Sequence, residues 1–164
     1  MTETIAFLVG LMTFWVPPAT DTEIVRYTHI AADSVAVAKE KDWLGLSQAE
    51  TAAVILSIAS FESGYRKDID HGIVRGDGGK SVCLGQVQVP RKYREIVATD
   101  RRACFRAMLE HVAYSWDWCH RLPWHERLSG YTVGKCVRSK TSRKYSARML
   151  EAFDGIEDLG FANR

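Results

Sequence analysis

Thr51-Ala-Ala-Val-Ile-Leu-Ser-Ile-Ala-Ser-Phe-Glu62-Ser63-Gly64-Tyr65 is apolar or small at nearly every position until one carboxylate arrives near its end. Helical spacing puts Ile55, Ile58 and Ala59 on the same face as Glu62, seven, four and three residues before it. The stretch opens on Ser47-Gln-Ala-Glu50, the pattern of a capping box. A helix apolar all round belongs inside a protein. An acid at its tail meets low polarity and the negative end of the helix dipole, and both disfavour the ionised form. Such a group keeps its proton toward neutral pH and can act as a general acid. The alternative is a last turn that frays at Gly64 and leaves Glu62 in water.

Upstream, residues 5–16 are apolar except for Gly10 and Thr13, too short a run to span a membrane. The acidic start Met1-Thr2-Glu3-Thr4 and the sequence Pro17-Pro18-Ala19 make a poor export signal. The stretch is expected to be a buried first helix capped by Thr2 and ended by the prolines, with membrane association as the minority alternative. A second helix is expected from Thr20 or Asp21 to about Lys41, with Ile24, Tyr27, Ile30, Ala31, Val35 and Ala38 on its inner face.

Downstream, the helical pattern fails from 68 to 89. Glycines at 72, 76, 78, 79 and 85 break it, and Ile73, Val74, Val82, Val87 and Val89 favour a small hairpin. Helices resume over 90–98, 100–120, a short piece from 123, and 142–153. The expected class is mainly α (α+β), one domain over 1–164, with a small β-hairpin after the Glu62 helix.

At 164 residues and 46% hydrophobic content the chain can bury a sizeable core. Its net charge is only +2, yet residues 1–90 hold 7 Lys+Arg against 11 Asp+Glu and residues 91–164 hold 15 against 9. The basic half suits a polyanionic neighbour. Arg138, Lys140, Arg143, Lys144 and Arg148 lack interleaved aromatics and accompany no zinc-finger or RNA-recognition pattern, so nucleic acid is not the expected partner and a solvated helix face is. Cys83, Cys104, Cys119 and Cys136 form no Cys-x-x-Cys pair, which argues against structural zinc. If 100–120 is one helix, Cys104 and Cys119 stand about 22 Å apart and cannot bond. Two connectivities remain, with Cys83–Cys104 and Cys119–Cys136 preferred, beside the alternative of four thiols packed as small apolar groups.

A buried helix ending in Glu, then a Gly-rich hairpin, then more helices, is a lysozyme-like order. Glu62-Ser63 resembles the Glu-Ser pair of the soluble lytic transglycosylase and goose-type lysozyme superfamily. Gly76-Asp77-Gly78-Gly79-Lys80-Ser81-Val82-Cys83-Leu84-Gly85-Gln86-Val87 resembles the goose-type stretch, with Asp77, Leu84, Gln86 and Val87 coinciding, and Ser129-Gly130-Tyr131-Thr132-Val133-Gly134 is similar to its Ala-Tyr-Asn-x-Gly motif. The resemblance covers about residues 47–137. It departs at Cys83, Gly85 and Thr132, and Gln88 stands where goose-type enzymes carry a second aspartate. A shifted register would make Gln88, rather than Gln86, the matching amide and displace Asp77.

The resemblance implies cleavage of the β-1,4 bond between N-acetylmuramic acid and N-acetylglucosamine in bacterial peptidoglycan, without metal or cofactor. Glu62 is then the catalytic acid. In a transglycosylase the substrate's N-acetyl group assists and one carboxylate suffices; in a goose-type hydrolase Asp77 positions water. The alternative reading of Asp77 is a turn residue, since Asp-Gly favours tight turns. Substrate contacts are expected from Ser63, Gln86, Gln88 and Tyr131, with Ser63 also capping the helix end and the Tyr131 hydroxyl pointing at the intermediate or at Glu62. Trp116, Trp118 and Trp124 are candidates for a sugar groove or for core; His71, His111, His120 and His125 are read as ordinary polar residues. The expected partner is the peptidoglycan glycan strand, the expected state a monomer without membrane insertion. The expected place of action is the cell wall, reached by phage delivery or by release from a host cytoplasm. A catalytically silent wall-binding or phage structural module is the alternative from another class.

Overall fold

The computed structural model describes residues 2–160, except for the side chain of His125, which lies outside the described residues. The protein is mainly α-helical with one small antiparallel hairpin. Its central rod is α3 (Gln48–Glu62), buried from Ala49 through Ser60 apart from Glu50, as its lack of a polar face requires. The capping box forms in full: Ser47 Oγ accepts from the Glu50 amide, and the Glu50 carboxylate accepts from the Ser47 amide. Around α3 pack α1 (Glu3–Trp15), α2 (Asp21–Ala38), α6 (Arg101–Trp118) and α8 (Lys140–Asp158).

Thr2 caps α1, whose Leu8, Val9, Met12 and Trp15 are buried while Phe14 lies exposed, so this helix is covered on one side rather than all round. Among the described residues no helix is long and apolar enough to cross a membrane. In α2 the expected inner face holds except for Ile24, which is exposed at the first turn, and the helix ends at Ala38.

The segment after α3 is more structured than a bare hairpin. It begins with the single turn α4 (Lys67–Asp70), where Asp70 is buried against Arg101 and Arg26. Then come a 3-10 turn at Asp77–Gly79 and the strands β1 (Ser81–Val82) and β2 (Val87–Gln88). Val82 faces Val87 and Ser81 faces Gln88; the valine pair enters the core, while in the polar pair Ser81 is buried and Gln88 is exposed. After a 3-10 turn at Arg91–Tyr93 follow α5 (Arg94–Thr99) and α6, capped by Asp100. A further 3-10 turn at Trp124–Glu126 leads to α7 (Ser129–Val133), an element absent from the expected list because Gly130 within it and Gly134 at its cap hide it. α8 is longer than expected, starting from the cap Ser139, with Tyr145, Met149, Ala152 and Ile156 buried at helical spacing.

Both preferred disulfides form. Cys83–Cys104 ties the hairpin turn to α6, and Cys119–Cys136 ties the end of α6 to the loop after α7.

Candidate active site

A cleft of about 650 Å³ opens where the end of α3, the hairpin, α6 and α7 meet. Glu62 forms part of its wall, half-buried in the last turn of α3. Burial pushes the Glu62 carboxyl above its ordinary value, the Asp77 charge adds to the rise, and a hydrogen bond from Tyr145 opposes it. The Tyr145 hydroxyl donates to Glu62 Oε1 at 2.7 Å. Its ring stacks on Phe61 with centroids 4.6 Å apart, which fixes the direction of that hydroxyl.

The hairpin brings Asp77, Gln86 and Gln88 to the same cleft. Asp77 takes a positive φ of 49°, a conformation Asp tolerates better than most residues. Its Oδ2 accepts from Ser81 Oγ and from Gln88 Nε2, the two side chains that face each other across the strands. Asp77 is therefore held by the hairpin while exposed to the cleft. Gln86 donates from Nε2 to the Cys83 carbonyl, and its Oε1 lies where a Cβ on residue 76 would stand, which is why Gly76 occupies that position. Both glutamines line the cleft, so either sequence register carries an amide into it.

Two expectations about individual side chains are corrected. Ser63 does not line the cleft: its hydroxyl turns back to donate to the Ala59 carbonyl at 2.8 Å and so caps the helix end. Tyr131 lines the cleft, but its hydroxyl donates to the Gly85 carbonyl at 2.9 Å rather than pointing at Glu62. That bond ties α7 to the hairpin turn, and Tyr145 takes the place expected of Tyr131 beside the acid.

His111, Tyr114 and Ser115, one turn of α6, also line the cleft, with Gly130 and Thr132 from α7. His111 is thus a cleft residue rather than an ordinary surface one. The Ser115 hydroxyl accepts from the Tyr131 amide and donates to the Arg127 carbonyl, joining α6 to α7. None of Trp116, Trp118 and Trp124 lines the cleft itself; Trp124 stacks on Phe153 with centroids 5.6 Å apart, and Trp116 lines a separate depression with Trp43. The basic helix face is only partly solvated, because Arg148 lies over the Phe61 ring at 3.9 Å and donates to Ser60 Oγ. Arg143 and Lys144 are exposed as expected. Among the described residues no group of three or more His, Cys, Asp or Glu is placed to hold a metal ion.

Chemically, the site offers one carboxyl with a raised proton affinity, a phenol fixing its orientation, a second carboxylate on the hairpin, and amide and hydroxyl groups around a space large enough for a small-molecule or polymer segment. No family model, no curated protein and no solved structure matches the chain.

Proposed function

We propose that the protein is a lysozyme-like enzyme that cleaves the β-1,4 glycosidic bond of bacterial peptidoglycan as a lytic transglycosylase. The observation that carries this is Glu62: a half-buried carboxyl with raised proton affinity, at the end of the central helix and on the wall of a polar cleft. Glu62 gives its proton to the glycosidic oxygen as the bond from that oxygen to the muramyl C1 breaks and positive charge builds on the sugar. The substrate's own N-acetyl oxygen stabilises C1. The Glu62 carboxylate then takes the proton from the C6 hydroxyl, whose oxygen bonds to C1, giving an anhydro-sugar and restoring the acid. Tyr145 holds the carboxyl in place through both steps. Gln86 and Gln88 supply amides to the saccharide. The protein acts on glycan strands as a monomer at the cell wall, reached by phage delivery or by release from the host cytoplasm, and neither metal nor cofactor enters these steps.

A second reading rests on Asp77, whose carboxylate lines the same cleft and whose charge is felt at Glu62. As a goose-type hydrolase the enzyme would use Asp77 to position water. Clearing of a peptidoglycan suspension tests the activity: the native protein should clear it, and Glu62→Gln should lower the rate at least ~100-fold, the scale of general acid–base catalysis. Equal rates would remove Glu62 from the mechanism. Mass spectrometry of the fragments separates the two routes, since hydrolysis adds a water that the anhydro product lacks.

A further inference from the structure

The outer face of α6 carries two aromatic rings that the core does not use. Tyr114 is 69% exposed and Trp118, one turn further, is 47% exposed, with ring centroids 5.9 Å apart. Together they form an exposed aromatic pair on this face of the helix. Tyr114 belongs to the wall of the Glu62 cleft. Trp118 adjoins that wall at Gly130, where a Cβ would stand only 3.1 Å from its ring carbon Cε3. The missing side chain at 130 is what lets the indole lie flush against the cleft edge. The two rings, tilted 36° to one another, therefore lead outward along α6 from the cleft wall.

We propose that Tyr114 and Trp118 form an outer saccharide subsite, on which sugar rings of a strand already seated at Glu62 stack by their apolar faces. Flat exposed rings offer area at little entropic loss, and a pyranose presents a ring of C–H groups that packs on them while its hydroxyls stay in water. Continuity with the cleft selects a saccharide over a peptide or lipid. This rests on the glycan-cleaving reading of the cleft, and it adds that long strands are held better than short ones.

The test uses the full chain carrying Glu62→Gln, so that no turnover interferes, and two probes: long glycan strands stripped of their peptides, and a single disaccharide repeat. Binding is read by calorimetry. Trp118→Ala in that background should weaken long-strand binding about tenfold, the scale of one aromatic stacking contact, while Trp118→Phe should recover most of it. The loss should be confined to the long strands. Unchanged long-strand affinity in Trp118→Ala would overturn the subsite, as would an equal loss for the disaccharide, which signals damage to the cleft instead. The two ideas fail separately. Native protein that cleaves strands while Trp118 is dispensable sinks only the subsite, and Trp118-dependent binding without cleavage sinks only the enzymatic reading.

Discussion

Tyr145 donates a 2.7 Å hydrogen bond to Glu62 across 83 residues of sequence, joining the N-terminal part of α8 to the last turn of α3. The bond stabilises the ionised carboxylate, so it acts against the burial that raises the Glu62 proton affinity. Tyr145 itself is pushed up, by burial first and by the same bond second, and so remains a donor.

Tyr145→Phe should therefore act in two directions. Without the opposing hydrogen bond, Glu62 holds its proton to higher pH, and the alkaline limb of the kcat/KM profile moves upward. At the optimum the rate should fall roughly tenfold or more, the scale of one hydrogen bond to a charged group. A pH–rate profile of native and variant protein on soluble glycan strands reads both; an alkaline limb that moves downward would contradict the assigned role.

Asp77→Asn separates electrostatics from chemistry. Asp77 adds to the rise at Glu62, so its neutralisation should move the same limb to lower pH. In the transglycosylase reading the variant keeps forming anhydro products at a rate within about tenfold of native. Loss of all activity, with native products one water heavier, would make Asp77 the residue that positions water.

Burial of Glu62 also predicts a conflict between stability and function. Its folded proton affinity is raised above the ordinary 4.5, so the folded state binds more protons than the unfolded one and stability falls as pH rises from about that value through the folded titration. Glu62→Gln removes the burden of an ionised buried carboxylate yet keeps an acceptor for Tyr145. At pH 7 it should melt higher than native, by no more than ~4 °C since the group is partly in water, and the difference should shrink below pH 4.5. Thermal scans at several pH values measure it.

The central helix and its acid were legible because both signals are local: an all-round apolar run, and a capping box within four residues. The hairpin was legible from its glycines and from Val82 and Val87, although Ile73, Val74 and Val89 lie outside its strands, and Asp77, Gln86 and Gln88 came with it. Tyr145 was not, because helical periodicity marks it as inward-facing like Met149 and Ala152 and says nothing of which buried partner its hydroxyl meets. His111 and Tyr114 escaped for the opposite reason: positions off the core stripe of α6 look alike in sequence whether they face solvent or a cleft, while Ser115 is a small polar residue buried on that stripe. Arg148 shows the same limit, since its position among basic residues hides that its guanidinium lies on Phe61.

Asp70 anchors the segment that carries the hairpin. Its side chain is 1% exposed and receives Nε and Nη2 of Arg101 at 2.9 Å each, with Nη1 of Arg26 at 3.2 Å. Removing Asp70 takes charge-assisted hydrogen bonds from both arginines, although Arg101 keeps its pair with Asp33 and Arg26 its bond to the Tyr65 carbonyl. Asp70→Ala should destabilise by about 1.5–3 kcal/mol in denaturant unfolding, whereas Glu95→Ala, whose partner Arg75 pairs with it at the surface, should change stability by under ~1 kcal/mol.

The two disulfides hold opposite walls of the cleft to the same helix. Cys83–Cys104 fixes the turn that presents Gln86, and Cys119–Cys136 fixes the loop behind Tyr131 and Thr132. They close loops of 21 and 17 residues, so each should contribute about 3 kcal/mol by restricting the unfolded chain. Reduction should therefore lower the melting temperature, and Cys83→Ser with Cys104→Ser should also weaken glycan binding, because the hairpin loses its covalent tie to α6. Cys119→Ser with Cys136→Ser should loosen α7, which is also tied to α6 and the hairpin by the Ser115 and Tyr131 hydrogen bonds. Melting curves and calorimetric titration with and without reductant test both pairs; full binding in the reduced protein would mean that the cleft walls are held by packing alone.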